Sequence, residues 1–134
     1  FGLAAFPVGA LSDRIGRGSL LLLSLAFLAA ADVVLAVSTG QIAYYSGVAL
    51  WGLHMGFSQG LLMTLIADAA PAHLRGSAFG LFSLISGLIA LVGNVAAGLL
   101  WDSYGPQATF AVGAALSVLC AGGVAGWMAR RRGA

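Results

Sequence analysis

Charge is what this sequence has least of. Only 7% of its 134 residues are charged, where an average soluble domain has roughly a quarter. Lysine is absent, so all six basic residues are arginine. The single cysteine, Cys120, excludes an intramolecular disulfide and any C-x-x-C metal or redox motif. Also missing are H-E-x-x-H, a P-loop, and a serine beside a histidine and an acid in a soluble setting. These gaps argue against an enzyme, and no cofactor or metal is expected. A net charge of +2 and a pI near 9.2 would suit a nucleic-acid partner only if the basic residues shared one soluble face. They sit instead at the ends of apolar runs, so no nucleic acid is expected.

What fills the sequence is hydrocarbon: 60% of residues are hydrophobic and the mean hydropathy is +1.01. A bilayer core about 30 Å thick is crossed by about 20 apolar residues in helical form. Four segments reach that length, residues 19–37, 41–66, 76–100 and 107–128, and residues 1–8 read as the end of a fifth. The expected fold class is all-α, a polytopic transmembrane helix bundle whose first partner is the lipid bilayer. Phe1 stands inside an apolar run with neither an initiator methionine nor a basic leader. The chain is therefore expected to be a piece of a longer protein.

The arginines orient the bundle. Arg14 and Arg17 lie in the first connection, Arg75 in the third, and Arg130, Arg131 and Arg132 after the last span, whereas residues 38–40 and 102–106 contain none. Counted alternately in and out, every arginine falls on one side, which the positive-inside bias makes cytoplasmic. The expectation is a multi-pass protein of the cytoplasmic membrane with its C-terminus inside. Tyr44, Tyr45, Trp101 and Tyr104 near the outer ends, and Trp127 near the inner end, suit the interfacial levels favoured by amphipathic rings.

Three of the charged residues fall in the stretch Gly9 to Leu20. A helix leaving the membrane at Gly9 must turn and re-enter by Ser19, and Gly9, Gly16 and Gly18 permit tight backbone there. The pattern G-x-L-x-D-R-x-G-R-x-x-L, carried by Gly9, Leu11, Asp13, Arg14, Gly16, Arg17 and Leu20, resembles the signature loop of the major facilitator superfamily of secondary transporters. It departs from the usual pattern at Gly18, where a second basic residue is common. A partial copy, Gly98, Leu100, Asp102 and Gly105, follows on the opposite side without arginine, as inverted three-helix repeats would leave it. The run from Pro71 through Arg75, Gly76, Gly80, Gly87 and Gly98 to Trp101 and Gly105 resembles the region of the tenth to twelfth helices of that family. The resemblance covers essentially the whole chain. It places residues 1–8 at the end of the eighth helix and the four spans at helices nine to twelve, the C-terminal half, with the N-terminal half of the same transporter as partner.

Site candidates follow from helix faces. At about 100° per residue, Trp51, His54, Met55, Ser58, Gln59 and Leu62 share one arc, while Gly52, Gly56 and Gly60 share another suited to close packing. The resemblance sets the tenth helix beside the central pathway, so Trp51, His54, Met55, Ser58 and Gln59, with Asn94 from the next span, are the candidate substrate-contacting residues. His54 is mid-span, and its ordinary pKa near 6.5 suits proton coupling; a neutral histidine bonded to a neighbouring helix is the alternative. Asp32, inside AAADVVLAV, is the second proton-coupling candidate. Gly76, Gly80, Ser83, Gly87, Ala90, Asn94 and Ala97 form a stripe of small residues for close helix approach. At the inner end, Gly9, Asp13, Arg14, Gly16, Arg17, Asp68 and Arg75 form the signature loop and a candidate latch, with Asp13 or Asp68 pairing with Arg14, Arg17 or Arg75.

The function that the resemblance implies is secondary active transport of a small solute by alternating access, with proton coupling open. The alternative is a non-transporting membrane interaction or sensing protein that retains the fold. Nothing in the sequence selects a substrate or a direction of transport.

Overall fold

The computed structural model describes residues 16–132, apart from the side chains of residues 131 and 132. The expected partial span at residues 1–8 and the loop residues Gly9, Asp13 and Arg14 lie outside the described residues.

Helix α1, Arg17–Val37, is built from leucine and alanine, strong helix formers. Its 21 residues give about 31 Å of rise, one bilayer core. It starts directly after Gly16, whose φ of 84° is in the left-handed region open to glycine. It stops at Ser38, whose hydroxyl turns back to donate to the Val34 carbonyl at 2.6 Å. Helix α2, Gln41–Ala69, follows after three residues and runs three residues past the expected boundary at Ile66. A short 3₁₀ turn at Ala72–Leu74 behind Pro71 leads into α3, Arg75–Arg132.

The sequence predicts two spans joined by a loop at residues 102–106. The structure shortens that loop to one residue. Helical geometry is interrupted only at Gly105, with φ 83° and ψ 175°, immediately before Pro106. A straight helix of 58 residues would extend about 87 Å, far beyond a bilayer. Contacts show instead that the chain doubles back. Residues 58–63 of α2 face residues 82–86 across a groove, Trp101 meets Phe110 edge-on at 6.1 Å, and Met128 returns to Gly18 at the start of α1. Residues 75–104 and 106–132 are therefore two antiparallel limbs of α3. Gly16 and Gly105, the closing glycines of the two copies of G-x-L-x-D-x-x-G, share the same left-handed φ, and each precedes a helix.

Helix α1 lies between α2 and the 106–132 limb, antiparallel to both. On one side Leu20 and Leu61 are buried together with Leu21 and Phe57 packed against them, and Phe27 stacks on Phe57 at 5.6 Å. On the other side Asp32 rests against Gly113 and Ser117. Glycines permit the closest approaches, since a Cβ at Gly47 would stand 2.6 Å from Leu35 Cγ. The 75–104 limb is the most open element, with Leu81, Leu84, Leu88, Ile89, Leu91, Val92 and Leu99 all exposed. All three helices are long and apolar enough to cross a membrane. Their outward leucines suit a hydrocarbon solvent, which satisfies apolar side chains while the helices satisfy their own backbone.

Candidate functional site

The polar arc of α2 is divided by depth and by neighbour. Trp51, toward the arginine-free end, borders a pocket of about 160 Å³ with Asp32, Leu35, Tyr44, Val48 and Phe110. His54, one turn deeper, is drawn to α1, where its Nδ1 lies 2.8 Å from the Ser24 carbonyl oxygen. A carbonyl only accepts, so this nitrogen carries the hydrogen and Nε2 is left as the basic atom of the neutral ring. Ser24 is itself buried, with its hydroxyl donating to the Leu21 carbonyl. Met55 is half-buried in the same stretch.

Ser58 and Gln59 continue downward into a different place, a groove of about 390 Å³ between α2 and the 75–104 limb. Leu62, Met63, Phe82, Ser83 and Ser86 complete its lining. Three serines and a glutamine on an apolar frame can hydrogen-bond a solute without fixing a charge. Asn94 is exposed on the open limb, and the described residues give it no place in this groove. The small-residue stripe is open: a Cβ at Gly76, Gly80 or Gly87 would meet nothing within 4 Å.

Asp32 is buried, 8% exposed, although it stands near the end of α1. The Ser117 hydroxyl has one hydrogen to share between the Gly113 carbonyl at 2.9 Å and Asp32 Oδ2 at 3.4 Å, so the carboxylate receives the weaker, longer contact. The carboxylate fits because Gly113 has no side chain; a Cβ there would stand 2.9 Å from Oδ2. Ser24, Gly113, Ser117 and Phe110 escaped the sequence reading. The spacing of Gly113 and Ser117, one turn apart on one helix face, was the available signal.

At the other end Arg17 and Asp68 form an ion pair that ties the start of α1 to the end of α2. Arg75 does not pair with Asp68 among the described residues; its Nε donates to the Ala67 carbonyl at 3.0 Å. His73 is exposed beside it. Gly18, where the signature loop departs from its usual pattern, faces Met128, whose Sδ would lie 2.8 Å from an added Cβ. The space a larger residue would enter is thus already taken by the last turn of α3.

Comparison with known proteins agrees with this architecture. The profile described as Major Facilitator Superfamily matches residues 1–134. An uncharacterised MFS-type transporter of Methanocaldococcus jannaschii is 30% identical over 115 residues, covering 86% of this chain and 29% of that protein. The multidrug resistance protein MdtG of Salmonella paratyphi A is 36% identical over 123 residues, 90% of this chain and 30% of that protein. A proton myo-inositol cotransporter of Caenorhabditis elegans is 28% identical over 104 residues, 76% of this chain and 17% of its own length. The chain thus spans less than a third of each of these relatives. No solved structure matches it. With the signature loop, the paired left-handed glycines and a match along its whole length, the chain belongs to the major facilitator superfamily.

Proposed function

We propose that this chain supplies the C-terminal part of a secondary transporter that moves a small solute across the cytoplasmic membrane by alternating access. The observation that carries the reading is the groove of Ser58, Gln59, Ser83 and Ser86, a polar strip framed by Leu62, Met63 and Phe82. It lies beside the open, glycine-rich limb. Helices of the N-terminal half complete the groove by packing on that limb, and rocking of the two halves exposes it to one side and then the other. Arg17, Arg75 and Arg130 at one end of the bundle support a cytoplasmic placement of that end and of the C-terminus. The names of the relatives point to different solutes, a drug in one and myo-inositol with a proton in another. We leave the solute as a small organic molecule held by neutral hydrogen bonds.

Proton coupling is assigned to His54. With Nδ1 held by the Ser24 carbonyl, Nε2 takes up and releases the proton, and protonation mid-membrane biases the carrier toward the state in which that nitrogen meets water or solute.

The test is solute uptake by the full-length protein in proteoliposomes, with an imposed pH gradient and a mixed solute panel. Accumulation of a solute that is lost in Ser58→Ala/Gln59→Ala but regained with the single changes reversed supports the reading. A folded protein that moves nothing across the panel supports a non-transporting interaction or sensing role.

A further inference from the structure

Asp32 makes no ion pair among the described residues: no salt bridge joins it to His54, whose Nδ1 is turned to the Ser24 carbonyl. Among the described residues, Arg17, Arg75 and Arg130 stand at the far end of the bundle, and the ion pair of Arg17 is with Asp68. The contact with Ser117 engages Oδ2 and, at 3.4 Å, is too long to neutralise it. No hydrogen bond from the described residues reaches Oδ1, yet no buried oxygen there lacks a partner, so Oδ1 keeps access to the surface. What it borders is the pocket of about 160 Å³ whose other walls include Tyr44, Trp51 and Phe110. An ionised carboxylate inside a span is costly unless paired, and aromatic faces attract a cation through their quadrupoles. Phe110 is braced edge-on by Trp101 at 6.1 Å and Tyr44 by Tyr45 at 6.0 Å, while Trp51 and Tyr44 are about half exposed.

We propose that this pocket binds the quaternary ammonium head of a small organic cation, with Asp32 as counter-ion and Trp51, Tyr44 and Phe110 as the apolar, electron-rich walls. A trimethylammonium head suits the volume. It has no hydrogen-bond donors, so it makes no demand on a site that offers a single acceptor group, and its methyl groups lie against rings. A hydrated metal ion finds too few oxygens here. An alkylammonium with several N–H groups would leave donors unpaired against the rings. The pocket shares no lining residue with the groove of Ser58 and Gln59, and Gln59 is eight residues, about 12 Å, along α2 from Trp51. It is an additional site rather than a part of the transport pathway proposed above. The ammonium can belong to a free solute or to a choline lipid, because this end of the bundle lies where head groups meet the hydrocarbon.

The experiment uses the full-length protein in phosphatidylglycerol nanodiscs, at one fixed pH, with radiolabelled choline in equilibrium dialysis. The neutral isostere 3,3-dimethylbutanol is the competitor. Expected are saturable choline binding, no competition by the alcohol, weakening by about tenfold or more in Asp32→Asn, and weakening by about 3- to 30-fold in Trp51→Leu. Ser58→Ala should leave choline binding unchanged. Repeating the titration in phosphatidylcholine nanodiscs identifies the source: a weaker apparent affinity marks the lipid head group as occupant, an unchanged one marks the free solute, and both keep the site. Equal competition by the neutral alcohol, or equal binding by wild type and Asp32→Asn, overturns the proposal. So does the absence of saturable binding at millimolar choline. If Asp32→Asn fails to fold, Trp51→Leu and Phe110→Leu decide alone, and undiminished binding in both overturns it.

Discussion

The Nδ1 atom of His54 lies 2.8 Å from the backbone carbonyl oxygen of Ser24 and joins the middle of α2 to the middle of α1. The bond gives the ring a fixed orientation without using its second nitrogen. It unites the two readings of this residue left open by the sequence, a helix tie and a proton carrier, because one imidazole has an atom for each.

If Nε2 of His54 carries the coupled proton, His54→Gln separates coupling from binding. Glutamine retains an amide donor toward Ser24 but does not titrate. Accumulation driven by an imposed pH gradient should fall to the passive level, while exchange of labelled for unlabelled solute at equal concentrations persists. Gradient-driven accumulation that survives the change removes His54 from coupling. His54→Ala should also lose the helix tie, lowering stability by about 0.5–1.5 kcal/mol.

The Arg17–Asp68 pair joins two helices at their arginine-bearing ends, with both side chains substantially exposed. Exposed pairs contribute about 0–1 kcal/mol, enough to shift two nearly balanced access states by up to about fivefold. Asp68→Asn should raise the labelling rate of an inward-facing reporter cysteine by no more than that factor, in a Cys120→Ser background. The charge swap Arg17→Asp/Asp68→Arg should return it toward wild type, and 1 M salt should mimic the single change. Identical labelling in all three proteins would leave the pair with no part in gating.

Glycine contacts in the bundle differ in what they press upon. Gly47→Ala drives a methyl to 2.6 Å from the branching carbon of Leu35, whereas Gly18→Ala meets Met128 Sδ at 2.8 Å. Methionine is unbranched and yields; leucine packed near Ala31 yields less. Thermal unfolding should show a loss of about 1–3 kcal/mol for Gly47→Ala and a smaller one for Gly18→Ala. Leu35→Ala should relieve the first only.

Gly105 is held at φ 83° between the two limbs of α3, with Thr109 donating to its carbonyl at 3.1 Å. A left-handed residue with a Cβ costs about 1–2 kcal/mol. Gly105→Ala should lower the unfolding temperature, whereas Gly122→Ala, in a helical stretch with open space around it, should not. Equal stability of the two variants would show that the reversal needs no glycine.

Neighbouring residues show where the sequence stops speaking. Trp51, His54 and Ser58 share an arc of one helix, and the sequence reads that arc as a single cavity face. The structure sends Trp51 to a pocket with Asp32, His54 to the α1 backbone and Ser58 to the groove with the next limb. Helical periodicity gives an angle about one axis; which neighbour occupies that angle at each depth depends on how the other helices cross. For the same reason the burial of Asp32 is invisible in its own helix, because Gly113, eighty-one positions later, supplies the hollow that holds it.

Composition and periodicity alone determined that this chain is a set of membrane helices and which ends carry arginine, because a continuous apolar run of about 20 residues satisfies its own backbone in lipid as a helix. The spacing of one loop placed it in its family. Tertiary structure alone decided that a predicted loop is a single left-handed glycine, that Asp68 pairs with Arg17 rather than Arg75, and that a buried acid faces three aromatic rings. Those outcomes rest on contacts between residues far apart in the chain, and in lipid such contacts are set by close shape and polar pairing, to which average hydrophobicity is blind.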